Sequence, residues 1–470
     1  MTVDSDTTGP RTDTAVRGRT RRSVVVYLLL VVIPVAVIAV LLTSAQDGGD
    51  GAASSTNDVA GHPLARLLLA VAVVVAACKA LGAAARRLGQ PPVIGEITAG
   101  IVLGPSVLAA AWPAGASALI PDVVLPELNV LAQVGLVLFV FLTGLELNTK
   151  LLRGRRHIAV VVSHVSIAVP FLLGVLLAVV AYTRFAPDGV GYLAFALFFG
   201  VSMSVTALPV LMRILQDLGM FRSEVGVVAL TCAVIDDVTA WTLLALVVAL
   251  VTSSSMMGVL LTVALMGLFV LVLLMVVRPL LARFVARATP SKLSSVAPLM
   301  LVAVLLCAMC TEWIGVHAMF GAFLFGVVFP RGNVAARWLH DKVGGLTSAL
   351  MLPVFFAYSG LRTDIGLIGG DAGLWLWCGV ILAVAVLGKL AGSAIAARAV
   401  GETWNRSLQV GTLMNCRGLT ELVVLNVGMD IGVLSPTLFT MLVIMALVST
   451  AMSGPLVTWL ARRERVGSLH

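Results

Sequence analysis

Charged residues are scarce in this chain of 470 residues, because Asp, Glu, Lys and Arg together account for only 11%. Hydrophobic residues account for 60%, and the mean hydropathy is +1.07. Soluble proteins carry about 25% charged residues, so this composition excludes a water-soluble fold with an ordinary core. Apolar runs of about 18 or more residues, each long enough to cross ~30 Å of hydrocarbon as a helix, recur along the chain. The sequence therefore predicts an all-α polytopic membrane protein.

Cysteine is also sparse. All six cysteines lie in apolar runs, where a thiol packs as a small core residue rather than as half of a disulfide. Cys307 and Cys310 form a CxxC pair, but the sequence offers no second pair that would complete a metal site. We therefore expect no resident metal and no other cofactor.

The apolar runs predict about fourteen transmembrane helices. The first, at residues 25–43, follows a basic tail at 1–24 that we expect to be disordered and cytoplasmic. A cleaved signal sequence is the alternative for 25–43, although the length of the run favours a retained helix. A short cytoplasmic tail is predicted at 461–470. The other thirteen crossings are predicted at 63–83, 92–112, 126–146, 157–182, 190–216, 223–251, 256–278, 293–311, 316–330, 344–363, 372–399, 405–429 and 434–460.

The net charge of +8 is explained by where the basic residues lie. In a soluble protein it would suggest nucleic-acid binding, which we do not expect here. If the N-terminus is cytoplasmic, the outer ends of the predicted helices carry only Arg66, Arg184 and Arg362. The inner segments carry Arg86, Arg87, Lys150, Arg153, Arg155, Arg156, Arg213, Arg222, Arg278, Arg283, Arg287, Lys292, Arg331, Arg337, Lys342, Arg398, Arg406, Arg462, Arg463 and Arg465. This positive-inside pattern predicts a multi-pass protein of the plasma membrane with both termini cytoplasmic.

Two strings in distant parts of the chain are similar to each other. FVFLTGLEL and FFAYSGLRT align Gly144 with Gly360, and the predicted topology gives them opposite orientations. Such a pair indicates an inverted-topology repeat, with a chance match between short apolar strings as the alternative. The predicted membrane domain at 63–460 then comprises a repeat at 63–251, a linker helix at 256–278 and a repeat at 293–460.

Two adjacent carboxylates, Asp236 and Asp237, lie at the middle of one predicted helix, in the string AVIDDVTAW. A carboxylate at the bilayer centre costs about 2.5–3.5 kcal/mol on insertion scales, so a pair is expected only where it is used or neutralised. Adjacent helical residues point about 100° apart, so one aspartate can face a neighbouring helix while the other faces a cavity.

Two further crossings contain residues that weaken a helix at the same depth. In the crossing before the aspartates, Pro209 follows a stretch that contains Ser204 and Thr206. An unwound turn there would offer carbonyl and hydroxyl oxygens to an ion or proton site. The crossing at 405–429 contains Gly418 near its midpoint and is the second candidate for a broken helix.

The other charges at this depth set the balance of the site. Lys389 lies near the level of the aspartates and is the natural partner for one of them. Arg417 and Glu421 are four residues apart on one helix face and can satisfy each other. The aspartates and Lys389 are then one positive charge short of neutrality. A proton or a monovalent cation can fill that vacancy, and a site that chooses between the two is an exchanger.

Three other interpretations of the aspartates stay open. They can pair with Lys389 and Arg417 merely to set the register of the helices, although buried pairs rarely repay their desolvation. The chain can also be a channel-like cation efflux protein. An intramembrane aspartyl protease needs its aspartates on separate helices around one water, whereas here they are adjacent. We therefore expect a transporter and not an enzyme.

Six strings together resemble a known family. They are PPVIGEITAGIVLGPSVL, LVLFVFLTGLELN, SMSVTALPVLMRIL, AVIDDVTAW, GKLAGSAIAAR and MNCRGLTELVVLNVG, and they extend over about residues 63–460. Their combination is similar to the second antiporter family of monovalent cation:proton antiporters, which includes bacterial Na⁺/H⁺ or K⁺/H⁺ exchangers and plant cation/H⁺ exchangers.

The resemblance implies a homodimer in which a core with two crossed discontinuous helices moves against a dimerisation domain, in an elevator-like cycle of alternating access. It implies that Asp237 carries the cation and the proton, and that Asp236 pairs with Lys389. Two acidic residues at this place resemble the electrogenic members. The segment 25–43 departs from the family's pattern, and the nucleotide-binding domain of some potassium efflux relatives is not expected.

Overall fold

The computed structural model describes residues 63–146, 156–252, 256–286, 293–330 and 334–467. Within these ranges the chain is helical with short connections and contains no strand, as the composition predicts. The predicted tail at 1–24 and the predicted helix at 25–43 lie outside the described residues. At the other end, helix extends to Gly467, into the segment predicted as a tail.

The helices are numbered in chain order. They are α1 (Pro63–Arg87), α2 (Pro92–Leu103), α3 (Pro113–Leu119), α4 (Leu125–Glu146), α5 (Arg156–Phe185), α6 (Tyr192–Ser204), α7 (Leu208–Asp217), α8 (Glu224–Thr252), α9 (Met256–Val272), α10 (Arg278–Ala286), α11 (Leu293–Ile314), α12 (Met319–Val328), α13 (Val334–Leu346), α14 (Leu352–Leu361), α15 (Ala372–Ala399), α16 (Trp404–Met414), α17 (Leu419–Asp430) and α18 (Pro436–Gly467).

The thirteen crossings predicted after residue 63 each coincide with a helix or with two helices in line. Ten segments of the described chain are long and apolar enough to span a membrane. Three of the thirteen predicted crossings do not pass this test of length and hydropathy. α12, α16 and α17 are each shorter than 18 residues, and the apolar part of α11 is shorter than that as well. The start of α13 was predicted as a loop, because its string VAARWLHDKV is polar on one face and an apolar-run criterion misses an amphipathic helix.

Contacts divide most of the helices into two bundles. The first, called here the core bundle, contains α5, α6, α7, α8, α15, α16, α17 and α18. The second, called here the scaffold bundle, contains α1, α2, α4, α11, α12, α13 and α14. Contacts between the bundles include those of α14 with α17. This division leaves the predicted midplane charges together in the core bundle.

Glycines let the scaffold helices approach one another closely. A Cβ atom added to Gly100 of α2 would overlap the carbonyl of Ala357 in α14, and one added to Gly326 of α12 would overlap the carbonyl of Phe141 in α4. Such backbone contact is open only to residues without a side chain. The backbones of α2 and α14 therefore touch at Gly100, and those of α4 and α12 touch at Gly326.

The same glycine pattern occurs in both halves of the chain. Gly95 and Gly100 of α2 have the same spacing as Gly321 and Gly326 of α12. The first glycine of each pair lies against the preceding helix, and the second lies against the third membrane crossing of the other half, which is α14 for Gly100 and α4 for Gly326. This arrangement is what two structural repeats would produce, while the repeat boundaries at 63–251 and 293–460 stay a prediction.

Replacing Gly326 by alanine should lower the stability of the protein, because the new methyl group must displace the backbone of α4. Overpacking of this kind costs about 1–3 kcal/mol. The thermal unfolding midpoint in detergent measures the effect. Gly379→Ala is the matched control, since a Cβ there meets no atom within 4 Å, and its midpoint should stay level or rise. Equal midpoints for the two variants would contradict the close contact.

Candidate functional site

The first predicted helix break is present between α6 and α7. α6 ends at Ser204 and α7 begins at Leu208, while Val205 and Ala207 adopt extended backbone angles. Pro209 is the second residue of α7, a position where the missing N–H removes no helical hydrogen bond. The proline therefore starts the second half of the crossing rather than kinking a continuous helix.

The second break separates α16, which ends at Met414, from α17. Gly418 caps α17 with a φ of 148°, a conformation that favours glycine, and a Cβ there would lie 2.8 Å from Val210. The two breaks touch each other. The Ala207 N–H donates to the Cys416 carbonyl at 3.0 Å. The sequence prediction of two crossed discontinuous helices is thus confirmed.

Asp236 lies opposite these breaks and is surrounded by donors. Its Oδ1 accepts a hydrogen bond from Ser163 at 2.5 Å, and its Oδ2 accepts from Ser166 at 2.7 Å and from Thr206 at 2.8 Å. The Lys389 ammonium is 3.4 Å from the same Oδ2. Both oxygens of Asp236 therefore have donors, one on Oδ1 and three on Oδ2, out of the roughly four lone-pair sites that a carboxylate offers.

Lys389 is completely buried and has three acceptors for its three protons. Besides Asp236, it donates to the Ser166 carbonyl at 3.0 Å and to the Ser204 carbonyl. The Ser204 carbonyl is available because α6 ends there and no following turn supplies an N–H. The predicted pairing of Asp236 with Lys389 is therefore present as a contact, reinforced by backbone groups.

Asp237 has a different environment from its neighbour. It is only 2% exposed, and its Oδ1 has no hydrogen-bond partner in the described part of the chain. Its carboxylate also faces the backbone N–H of Leu208, the first residue of α7. The end of a helix that presents free N–H groups favours a negative charge. Asp237 is thus a buried carboxylate with one oxygen left to bind a cation or a proton.

Arg417 and Glu421 form the predicted pair, with Arg417 Nη1 3.3 Å from Glu421 Oε2. The Arg417 guanidinium also donates to the Ser202 carbonyl at 3.2 Å and to the Met203 carbonyl at 2.7 Å. Arg417 and Lys389 together therefore cap three successive carbonyls at the end of α6. Within the described chain, Nε of Arg417 and Oε1 of Glu421 have no partner, so the pair does not fully satisfy itself.

Two of the site contacts differ from what the sequence suggested. The hydroxyl of Ser204 donates to the Val201 carbonyl of its own helix, so this residue offers the site its carbonyl only. Ser163 and Ser166 were not predicted at all. Their spacing of three residues places both hydroxyls on one face of α5, and two serines at this spacing in an apolar helix are the signal that could have identified them.

These features define an all-α membrane transporter with a buried charged site where two broken helices cross. The family model described as "Sodium/hydrogen exchanger, transmembrane" matches residues 69–463. The chain therefore belongs to the sodium/hydrogen exchanger family. Cation/proton antiport is its activity, and the recognition of a monovalent cation:proton antiporter in the sequence is confirmed.

Relatives from three kinds of organism support this assignment. The chain is 40% identical over 396 residues to the Na(+)/H(+) antiporter NhaS4 of Synechocystis, covering 83% of this chain and 96% of that protein. It is 38% identical to Cation/H(+) antiporter 17 of Arabidopsis thaliana over 84% of this chain and 48% of the relative. The K(+)/H(+) antiporter 1 of Saccharomyces cerevisiae is 32% identical over 84% of this chain. The chain thus spans about half the length of the plant and yeast relatives, 48% and 46%.

A solved structure shares the fold. The sodium proton antiporter MjNhaP1 from Methanocaldococcus jannaschii superimposes with a TM-score of 0.60 at 15% identity, covering 85% of this chain and 97% of that one. At this identity the likeness concerns the fold alone. It agrees with the all-helical arrangement described above.

Replacing Arg417 by methionine should destabilise the protein by about 3–5 kcal/mol, because the buried carboxylate of Glu421 then loses its cation. The double variant Arg417→Met/Glu421→Leu should lose less stability, since no unpaired charge remains. Thermal unfolding in detergent compares the two variants. A double variant that is less stable than the Arg417→Met single variant would contradict the pairing.

Proposed function

We propose that Asp237 alternates between a proton and a monovalent cation, Na⁺ or K⁺, and that this alternation drives the exchange. The observation that carries the proposal is the contrast between two adjacent buried carboxylates. Each oxygen of Asp236 accepts at least one hydrogen bond, whereas Oδ1 of Asp237 has no partner in the described structure. Asp237 can therefore bind a new ligand through an oxygen that has no existing contact to break.

The charge balance supports the same assignment. Asp236 is paired with Lys389 and Glu421 with Arg417, so Asp237 contributes the one unbalanced negative charge of the buried set. An unneutralised charge in the low-dielectric interior is costly. Asp237 should therefore cross the barrier only when a cation or a proton neutralises it, which is the rule that couples the two fluxes.

The oxygens around the first break are the further ligands proposed for the cation. Thr206 lies in the break between α6 and α7. Its hydroxyl contacts Asp236 of α8 and the carbonyl of Met414 at the end of α16. Ser204 contributes its carbonyl to the same region. Hydroxyl and carbonyl oxygens suit both Na⁺ and K⁺, so the proposal covers both ions.

Movement of the core bundle against the scaffold bundle would expose the site alternately to the two sides. The polar contacts that join the bundles include those of Arg362, the residue after α14, which donates to Asn426 at 3.1 Å and to Asp430 at 2.7 Å in α17. These contacts lie on the predicted outer side. We propose that they hold that side closed and break when the core bundle moves.

The membrane setting completes the proposal. The exchange is electrogenic, as the resemblance of the two adjacent aspartates to the electrogenic members implies, and each cycle therefore moves unequal numbers of protons and cations. The protein acts as a homodimer in the plasma membrane, with both termini in the cytoplasm. The positive-inside distribution of the basic residues supports this orientation.

Asp237→Asn should abolish exchange, because an amide cannot alternate between a proton and a cation. Proton flux in vesicles that contain the purified protein measures this. Asp217→Asn is the matched control, since Asp217 is about half exposed at the end of α7 and pairs only with Arg213 in the described structure. It should transport normally. Full activity of Asp237→Asn would contradict the assignment.

Asp236→Asn should fold and change the pH dependence or the electrogenicity of transport, because Lys389 loses its counter-charge. Recording proton flux with Na⁺ or K⁺ supplied separately, with and without a membrane potential, tests the cation and the electrogenicity together. A flux that does not respond to the potential would contradict electrogenic exchange. Unitary conductance in a bilayer recording would contradict antiport itself.

A further inference from the structure

α5 presents two hydroxyl groups to the buried ion pair. The side chains of Ser163 and Ser166 are completely buried and donate to different oxygens of Asp236, at 2.5 Å and 2.7 Å. Hydrogen bonds donated to a carboxylate favour its ionised form. Because one serine contacts each oxygen, the two serines also fix the rotation of the carboxylate group.

Pro170 gives the same helix a second contact with the pair. It lies inside α5, and in a regular helix the carbonyl of Ser166 would accept the N–H of residue 170. Proline has no N–H, so this carbonyl is left without its helical donor. The Lys389 ammonium takes that place at 3.0 Å.

Small residues of α15 make this approach possible. A Cβ added to Gly388, the neighbour of Lys389 in the chain, would lie 3.3 Å from Pro170 Cα and 2.8 Å from a methyl group of Leu173. Gly392, one turn further along, lies against Val169 in the same way. α5 and α15 therefore pack closely where the proline frees the carbonyl.

We propose that Ser163, Ser166 and Pro170 are positioning residues that stabilise Asp236 and Lys389 as a charged pair while Asp237 binds the cation. The serines stabilise the carboxylate and the proline-freed carbonyl stabilises the ammonium. The inference rests on the proposed role of Asp237. Its consequence is a wider pH range of transport than an unsupported pair would allow.

The groups that face the pair determine how its charge responds to pH. His164 of α5 is exposed and its Nδ1 contacts the Val160 carbonyl of the same helix, so it does not face the pair. Thr206 of the first break adds a hydroxyl and no charge. The titratable or charged groups around the pair in the described structure are Cys232, Asp237, Arg417 and Glu421.

The test is the pH profile of cation-dependent proton flux in vesicles that contain the full chain. In Ser163→Ala/Ser166→Ala, Asp236 loses two donors and binds a proton more readily, so the acid limb should move up by about one pH unit. In Pro170→Ala, the restored N–H competes for the Ser166 carbonyl. Lys389 then loses its proton more readily, so the alkaline limb should move down by about half a pH unit or more.

Two variants serve as matched controls. Ser393→Ala removes a buried hydroxyl one turn from Lys389 that has no partner in the described structure. Pro455→Ala removes a proline from inside α18. The carbonyl of Ala451 lacks its helical N–H donor there and accepts a hydrogen bond from the Gln90 side chain at 3.1 Å instead. Both controls should leave the two limbs of the profile where they are.

A purely structural role would lower the maximal flux and leave both limbs unmoved, and that outcome would overturn the inference. The single variants Ser163→Ala and Ser166→Ala repeat the test if the double variant does not fold. The serine substitutions should add no shift in an Asp236→Asn background, because they act through Asp236. Active Asp237→Asn protein would refute the proposed function, whereas inactive Asp237→Asn with unmoved serine profiles would refute this inference alone.

Discussion

The contact between Asp236 and Lys389 is the constraint on which the centre of this protein depends. Both side chains are fully buried, and two charges removed from water are costly unless every donor and acceptor is satisfied. Three hydroxyl groups and two backbone carbonyls meet that requirement. They come from α5 and from the broken crossing α6–α7, whereas the pair itself lies on α8 and α15, so the position of the pair fixes how four separate crossings meet.

The helix breaks leave backbone carbonyl and N–H groups unpaired at the site, which continuous helices cannot do. A regular helix uses its carbonyls internally, whereas the end of α6 leaves the carbonyls of Ser202, Met203 and Ser204 for buried cations. The start of α7 presents an N–H to Asp237 on the other side of the break. One interrupted crossing therefore stabilises charges of both signs within a few residues.

Proline and glycine have distinct roles in this arrangement. Pro209 begins a helix, whereas Pro170 and Pro455 lie inside helices and each free a carbonyl for a long polar side chain. Gly388 and Gly392 bring α15 against α5, and the scaffold glycines fix the crossings of α2 and α12. These glycine contacts fix helix crossings within each of the two bundles.

The sequence by itself determined the class of protein, the crossings from residue 63 onwards, the two candidate helix breaks and Lys389 as a partner for one of the two aspartates. It did so because hydrophobic length, loop charge and the cost of a buried charge are local properties. Only the tertiary structure decided that Ser163 and Ser166 bind Asp236, and that Ser204 offers its carbonyl. Those contacts depend on the rotation of each helix and on which backbone groups remain unpaired, and both are set by packing between segments far apart in the chain.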